Sequence, residues 1–143
     1  MRVLLDLNVI LDVVFQRPGE PASSALIASC SEQNEAWLAW HSVATLAYLI
    51  ERQHNAKTAR GVISDLLAWA HVATTGHADA VQGLSFAVTD FEDALQAAAA
   101  KACAADYIIT RNGRDFTKSP VMALTPEKFL ARHPLIRQTP TAN

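Results

Sequence analysis

The chain has 143 residues, half of them hydrophobic, and a formal net charge of −2. This length and composition suit one compact domain rather than two, with a core large enough to need no disulfide or structural metal. The small net charge argues against an overall basic surface of the kind that nucleic-acid-binding proteins usually carry, so a basic surface here must be local.

Five short runs typical of β-strands alternate with longer segments typical of helices. Strands are predicted at 2–6, 36–40, 71–75, 106–110 and 121–125. Helices are predicted at 8–16, 20–32, 42–54, 56–69, 77–86 and 90–104, and from Pro126 onwards. The first and fourth strands are almost wholly apolar, which is typical of parallel strands buried on both faces. The pattern predicts an α/β fold, a three-layer α/β/α sandwich around a central parallel sheet of about five strands.

This fold is expected to form a single domain over residues 1–132, followed by a C-terminal tail at 133–143. Three helix starts carry local signals. Thr89 and Glu92 have the spacing of a capping box, Thr125 precedes Pro126 as an N-cap does, and Asn8 suits the N-cap of the first helix.

The cysteines and the apolar segments indicate the cellular compartment of the protein. Cys30 and Cys103 lie in alanine-rich, helical-looking segments, which favours reduced thiols over a disulfide. Asp6 and Asp12 interrupt the apolar N-terminus too early for a signal peptide, and no apolar run reaches the ~20 residues of a membrane span. We therefore expect a cytoplasmic protein with no membrane partner.

Polar side chains follow the first and fourth predicted strands where each strand ends. Asp6 ends the first strand, Thr110 ends the fourth, and Asn112 and Asp115 follow in the next turn. Ligand sites of open parallel sheets lie beyond the carboxyl ends of the strands, so these side chains are expected to share one edge. Asp93 joins them if its helix begins at that same edge.

Carboxylates that meet at one place repel each other and raise each other's pKa unless a cation offsets their charge. Mg²⁺ and Mn²⁺ prefer oxygen ligands, and a bound cation of this kind polarises a phosphate oxygen and activates water for attack on phosphorus. The histidines are scattered, with no spacing typical of zinc. Metal-assisted phosphodiester hydrolysis is thus a coherent hypothesis.

Each acid also has an ordinary structural explanation. A strand-end aspartate such as Asp6 is often a helix N-cap or a turn former. Asp90 and Glu92 suit the positive end of a helix whatever else they do, and the same holds for Asp93 taken alone. Only their joint placement favours a site.

Two segments resemble PIN-domain proteins. "LLDLNVILD" (4–12) resembles the opening motif of that family, and "DFEDALQAAAAKACAADYIITRNGRDF" (90–116) closely resembles its second half. "SPVMALTPEKFL" (119–130) is similar to the closing strand and helix, so that the resemblance covers about residues 2–130. It implies a Mg²⁺- or Mn²⁺-dependent ribonuclease, and the VapC-like members of this size imply a toxin that cuts RNA, dimerises and pairs with an antitoxin.

The resemblance also assigns roles to individual residues. Asp6, Asp93 and Asp115 would be the first, third and fourth metal-binding acids. Thr110 and Asn112 would shape the pocket and contact water or phosphate, and Asn8 would support Asp6.

The second acid of the family is missing. The family places a glutamate on the helix after the second strand, where this chain has Tyr48. Glu51 lies three residues further on, one helical turn or roughly 5 Å away, and could substitute or could be an exposed helix-end residue. Leu7 is a smaller departure, since the family usually has a threonine there.

Three cations lie close to Asp115 in the sequence, and they are candidates for RNA phosphate contacts or for an ordinary solvated surface: Arg111, Arg114 and Lys118. The sequence therefore favours a Mg²⁺- or Mn²⁺-dependent endoribonuclease acting on single-stranded RNA, and the resemblance implies a homodimeric toxin with a cognate antitoxin. A catalytically weakened RNA- or protein-binding PIN module is the alternative. A phosphatase fits less well, because Asp6-Leu7-Asn8 has no second acid two residues after the first.

Overall fold

The computed structural model of the chain describes residues 1–136. Its strands are β1 (Arg2–Leu5), β2 (Glu35–Leu38), β3 (Ala70–Val72), β4 (Tyr107–Ile109) and β5 (Ala123–Leu124). Its helices are α1 (Leu7–Val14), α2 (Glu20–Glu32), α3 (Trp40–Gln53), α4 (Ala56–Leu67), α5 (His77–Ser85), α6 (Phe91–Ala102) and α7 (Pro126–Arg132). A 3₁₀ turn spans Gly113–Phe116. Most of the predicted C-terminal tail, residues 137–143, lies outside the described residues.

The five strands form one parallel sheet in the order β3-β2-β1-β4-β5. This confirms the predicted α/β fold and the predicted number of strands. The central strand β1 pairs with β2 through Val3 and Ala36 and with β4 through Leu4 and Ile108. Because β1 and β4 are neighbours and parallel, the residues that follow them emerge side by side at the carboxyl edge.

Successive residues of β1 face opposite sides of the sheet, as the period of a strand requires. Val3 and Leu5 pack into a core with α1, α2, α3, α4 and α7. Leu4 packs into a second core with Ile108 and the alanines of α6. The two cores explain why β1 is apolar without alternation, and they establish the three layers.

Two of the three predicted helix caps are wrong. Asp90, rather than Thr89, occupies the N-cap of α6, and its Oδ1 accepts hydrogen bonds from the backbone N–H groups of Glu92 and Asp93. Asn8 lies inside α1, which begins at Leu7. The Thr125 cap is confirmed, because Thr125 Oγ1 accepts from the Lys128 N–H at 3.3 Å.

Residues 1–136 contain neither a membrane-spanning helix nor a disulfide. No helix there is both long enough and apolar enough to cross a membrane. Cys30 and Cys103 are both buried there and form no disulfide, as predicted.

Candidate active site

Asp6 lies at the carboxyl end of β1 and is only 5% exposed. It occupies the N-cap position of α1, yet its carboxylate makes no capping hydrogen bond. Instead Oδ2 accepts from Thr110 Oγ1 at 2.8 Å, and Oδ1 lies 3.4 Å from Gln96 Nε2. Asp6 is thus the N-cap residue of α1 by its backbone, while its side chain contacts the neighbouring strand and α6.

Burial raises the pKa of Asp6 above its usual range. The hydrogen bond from Thr110 lowers the pKa by less, and the charge of Glu92 raises it again. Asn8 lies close enough to lower the pKa of Asp6 through both its side chain and its backbone N–H. Asn8 therefore lies beside Asp6, and its supporting role stays a prediction.

Thr110 links the strand end to the next turn. Its fully buried hydroxyl donates to Asp6 and accepts from the backbone N–H of Asn112 at 3.1 Å. The side chains of Asn112 and Asp115 are exposed, and both residues line an open cleft of about 600 Å³. The other lining residues of this cleft are Thr89, Asp90, Glu92 and Asp93.

The first turn of α6 brings a group of acids to this cleft. Asp90, Glu92 and Asp93 each have a carboxylate oxygen within 4.8 Å of the others. The helix begins at the carboxyl edge of the sheet, as the placement of Asp93 beside Asp6 required. Of the five residues predicted to form the site, Asp93, Asn112 and Asp115 line this cleft. The buried Asp6, which Thr110 contacts, lies close enough for its charge to act on Asp93.

The electrostatics of this group are unfavourable without a counter-ion. The pKa of Asp93 is raised to about 7. The largest cause is the partial burial of Asp93, and the charges of four neighbouring carboxylates add to it. In order of decreasing effect, these neighbours are Glu92, Asp90, Asp6 and Asp115. No Lys or Arg within residues 1–136 forms an ion pair with Asp6, Asp93 or Asp115.

Four of the other predicted residues lie outside this group or only at its border. Glu51 is exposed and lies beside a hollow between α3 and α4, with Ala56 and Arg60. The Arg111 guanidinium contacts Asp12 at 3.4 Å and Glu127 at 2.8 Å. Arg114 is exposed in the 3₁₀ turn beside Asp115, and Lys118 is exposed just after this turn.

Several residues of the site were not predicted from the sequence. Gln96 is fully buried, and its Nε2 lies 3.0 Å from Ser42 Oγ and 3.3 Å from Glu92 Oε1. His41 Nε2 lies 3.0 Å from the same oxygen of Glu92. The one available signal was Gln96 itself, a polar residue on the face of α6 that otherwise presents alanines to the sheet.

These residues fit a hard divalent cation. Their side chains offer carboxylate and amide oxygens, which are the ligands that Mg²⁺ and Mn²⁺ prefer. A cation would also offset the repulsion that raises the pKa of Asp93.

The family model described as "PIN domain" matches residues 2–114. The chain belongs to the PIN-domain family. PIN domains are generally nucleases and typically use divalent metal ions. The resemblance seen in the sequence is therefore confirmed over these residues, and the acidic cleft lies where the motifs of this PIN domain converge.

Solved structures share the fold of this PIN domain. A chain of VapBC2 from Rickettsia felis, solved with a DNA fragment from its promoter, matches with a TM-score of 0.71 and 14% identity, over 87% of this chain and 98% of that chain. A chain of VapBC-1 from nontypeable Haemophilus influenzae matches with a TM-score of 0.71 and 18% identity, over 90% of this chain and 100% of that chain. FitAcB from Neisseria gonorrhoeae matches with a TM-score of 0.64 and 22% identity, over 87% of this chain and 98% of that chain. Comparison with curated protein sequences gives no match.

Proposed function

We propose that this PIN domain is a Mg²⁺- or Mn²⁺-dependent endoribonuclease that hydrolyses phosphodiester bonds of single-stranded RNA. The observation that carries the proposal is the convergence of Asp6, Asp93 and Asp115 at one sheet edge with no Lys or Arg of residues 1–136 paired to them. Such a group of acids is unfavourable in a metal-free domain and favourable around a cation.

A bound divalent cation would polarise a phosphate oxygen and lower the pKa of a water molecule. Asp6, Asp93 and Asp115 would hold that cation. The hydrogen bond from Thr110 would keep the Asp6 carboxylate in one orientation, and the amide of Asn112, which lines the cleft, would donate to a phosphate oxygen.

Arg114 and Lys118 are the proposed phosphate contacts beside the cleft, because both are exposed and close in sequence to Asp115. Arg111 would have to leave Asp12 and Glu127 in order to reach a phosphate. We therefore assign Arg111 a smaller part in RNA binding than the sequence alone suggested.

The test is cleavage of labelled single-stranded RNA by the purified chain with Mn²⁺, with Mg²⁺ or with EDTA. Wild-type protein should cleave only with a metal ion, and Asp93→Asn should lose about 10²-fold or more of the rate. Asp65→Asn, an exposed acid on α4, is the matched control and should cleave like wild type. Cleavage that persists in EDTA, or that Asp93→Asn leaves unchanged, would refute the nuclease proposal.

The fold neighbours from VapBC complexes support a second part of the proposal, that this chain is the toxin of a type II pair with a protein antitoxin. We also propose that it forms a homodimer in the cytoplasm. Co-expression with the product of the adjacent reading frame should give a stable complex that no longer cleaves RNA. The mass of the purified chain in solution tests the dimer.

The position of Tyr48 favours an alternative, a PIN module that has lost catalysis and only binds RNA or protein. Tyr48 stands where the resemblance places an acid, and it is 60% exposed with its hydroxyl 3.5 Å from Arg52 Nη1. Metal-independent RNA binding without cleavage, unchanged in Asp93→Asn, would favour this alternative.

A further inference from the structure

Helix α3 supplies no carboxylate to the acidic cleft in the part of the chain that the structure describes. Tyr48 is exposed, and Glu51 lies beside the hollow between α3 and α4. The residues of α3 that do reach the site are His41 and Ser42, which lie in the first turn of the helix. An acid that completes the site must therefore come from another element.

Glu92 on α6 is such an acid. Its Oε1 is fixed from two sides, by His41 Nε2 at 3.0 Å and by Gln96 Nε2 at 3.3 Å. The same nitrogen of Gln96 lies 3.4 Å from Asp6 Oδ1. One amide group therefore joins the carboxylate of Glu92 to that of Asp6, although the two residues belong to different elements.

The amide of Gln96 has an orientation that the carboxylates explain. The side chain is fully buried, and its Oε1 accepts no hydrogen bond within residues 1–136. Such an unpaired buried oxygen is unfavourable. The reversed amide would be worse, because Oε1 would then face the oxygens of Asp6 and Glu92. The Nε2 group of Gln96 is thus directed at the two acids, although this orientation leaves Oε1 without a hydrogen bond.

We propose that Glu92 is the second carboxylate of the cation site, in the place that the PIN-domain resemblance gives to an acid on α3. This inference rests on the proposed metal-dependent function. Glu92 also lines the cleft, and one of its carboxylate oxygens lies within 4.8 Å of an oxygen of Asp93, so that the two residues can share a cation. The proposed second acid thus lies on α6 rather than on α3, and His41 at the start of α3 contacts it.

The test is calorimetric titration of the full chain with Mn²⁺, which reports binding without any need for catalysis. Glu92→Gln should weaken Mn²⁺ binding about tenfold or more, as loss of groups around a metal commonly does. Glu92→Asp keeps the charge on a shorter side chain and should lose less. Glu32→Gln, an exposed acid at the end of α2, should bind like wild type. Circular dichroism checks that each variant is folded. If Glu92→Gln is unfolded, the Mn²⁺ affinity of Glu92→Asp tests the inference instead.

Two results would overturn the inference alone. The first is wild-type affinity in Glu92→Gln together with a clear loss in Asp93→Asn, which would leave a metal site without Glu92. The second is a loss of affinity in Glu51→Gln that exceeds the loss in Glu92→Gln, which would return the acid to α3. A wild-type chain that binds no Mn²⁺ would overturn the proposed function and this inference together.

Discussion

Thr110 and Asp6 join the ends of two neighbouring parallel strands by a hydrogen bond of 2.8 Å between buried side chains. The backbone makes the same connection, because the Asp6 N–H donates to the Ile109 carbonyl at 2.9 Å. The strand pairing therefore places the hydroxyl at the carboxylate, and residues 104 positions apart act as one unit.

Thr110→Val removes the hydroxyl and keeps the shape of the side chain. The free energy of unfolding at pH 7 should fall by about 1.5–3 kcal/mol, because a buried carboxylate loses a hydrogen bond. Urea denaturation measures the change, and Thr58→Val on the exposed surface of α4 is the control. Equal stabilities of Thr110→Val and wild type would show that Thr110 does not stabilise the charge of Asp6.

The metal-free protein should lose stability as the pH rises from about 4 to about 7. The pKa of Asp93 is about 7 in the folded protein, against about 3.9 in an unfolded chain, so the folded state binds more protons across this window. Ionisation of Asp93 thus favours unfolding. The free energy of unfolding should stop falling above about pH 7, where Asp93 is already ionised in the folded protein.

Urea denaturation in EDTA at pH 5, 6, 7 and 8 measures this dependence. Asp93→Asn should flatten it, whereas Asp65→Asn on α4 should not. A metal-free protein that is more stable at pH 8 than at pH 5, in wild type and Asp93→Asn alike, would contradict the prediction.

Gln96→Glu places a further buried acid beside Asp6 and Glu92. We expect a loss of about 3 kcal/mol or more at pH 8, because the new charge has no counter-ion in the metal-free protein. At pH 5 the loss should be much smaller, because the pKa of the new carboxyl is raised and its neutral form resembles the amide. Unfolding midpoints at the two pH values measure the difference, with the exposed Gln53→Glu as control. The same loss at both pH values would point to packing rather than charge.

Gly19 lies against the ion pair between Arg111 and Asp12. A Cβ atom there would come within 2.6 Å of both Arg111 Cζ and Asp12 Oδ2. Asp12 is buried and already accepts from Ser23 Oγ at 2.8 Å, so that the arginine has to move away. We expect Gly19→Ala to destabilise the fold by about 1–3 kcal/mol.

Gly61→Ala is the matched control, because a Cβ at this position of α4 meets nothing within 4 Å. This variant should instead gain about 0.5–1 kcal/mol from helix propensity. Thermal or urea denaturation measures whether each variant is less or more stable than wild type. Higher stability in both variants would show that the Arg111–Asp12 contact contributes nothing to stability.

The sequence by itself determined the parallel sheet and the edge at which its polar residues gather. Apolar runs such as 106–110 predict buried strands, and the residue that follows a strand must emerge at its carboxyl end. For this reason Asp6, Thr110 and Asp115 could be predicted to lie at one edge without a structure, and Asp93 followed once its helix was taken to begin there.

Only the tertiary structure decided which polar groups meet there. The periodicity of a helix tells which face a residue occupies but not which side chain lies opposite. Gln96 and Ser42 are 54 positions apart, and their contact depends on how α6 and α3 approach each other. Likewise the sequence made Arg111 a candidate for RNA contacts or a solvated surface, and only the fold shows that it pairs with Asp12 and Glu127. Contacts between distant elements depend on packing, and no local pattern in the sequence encodes them.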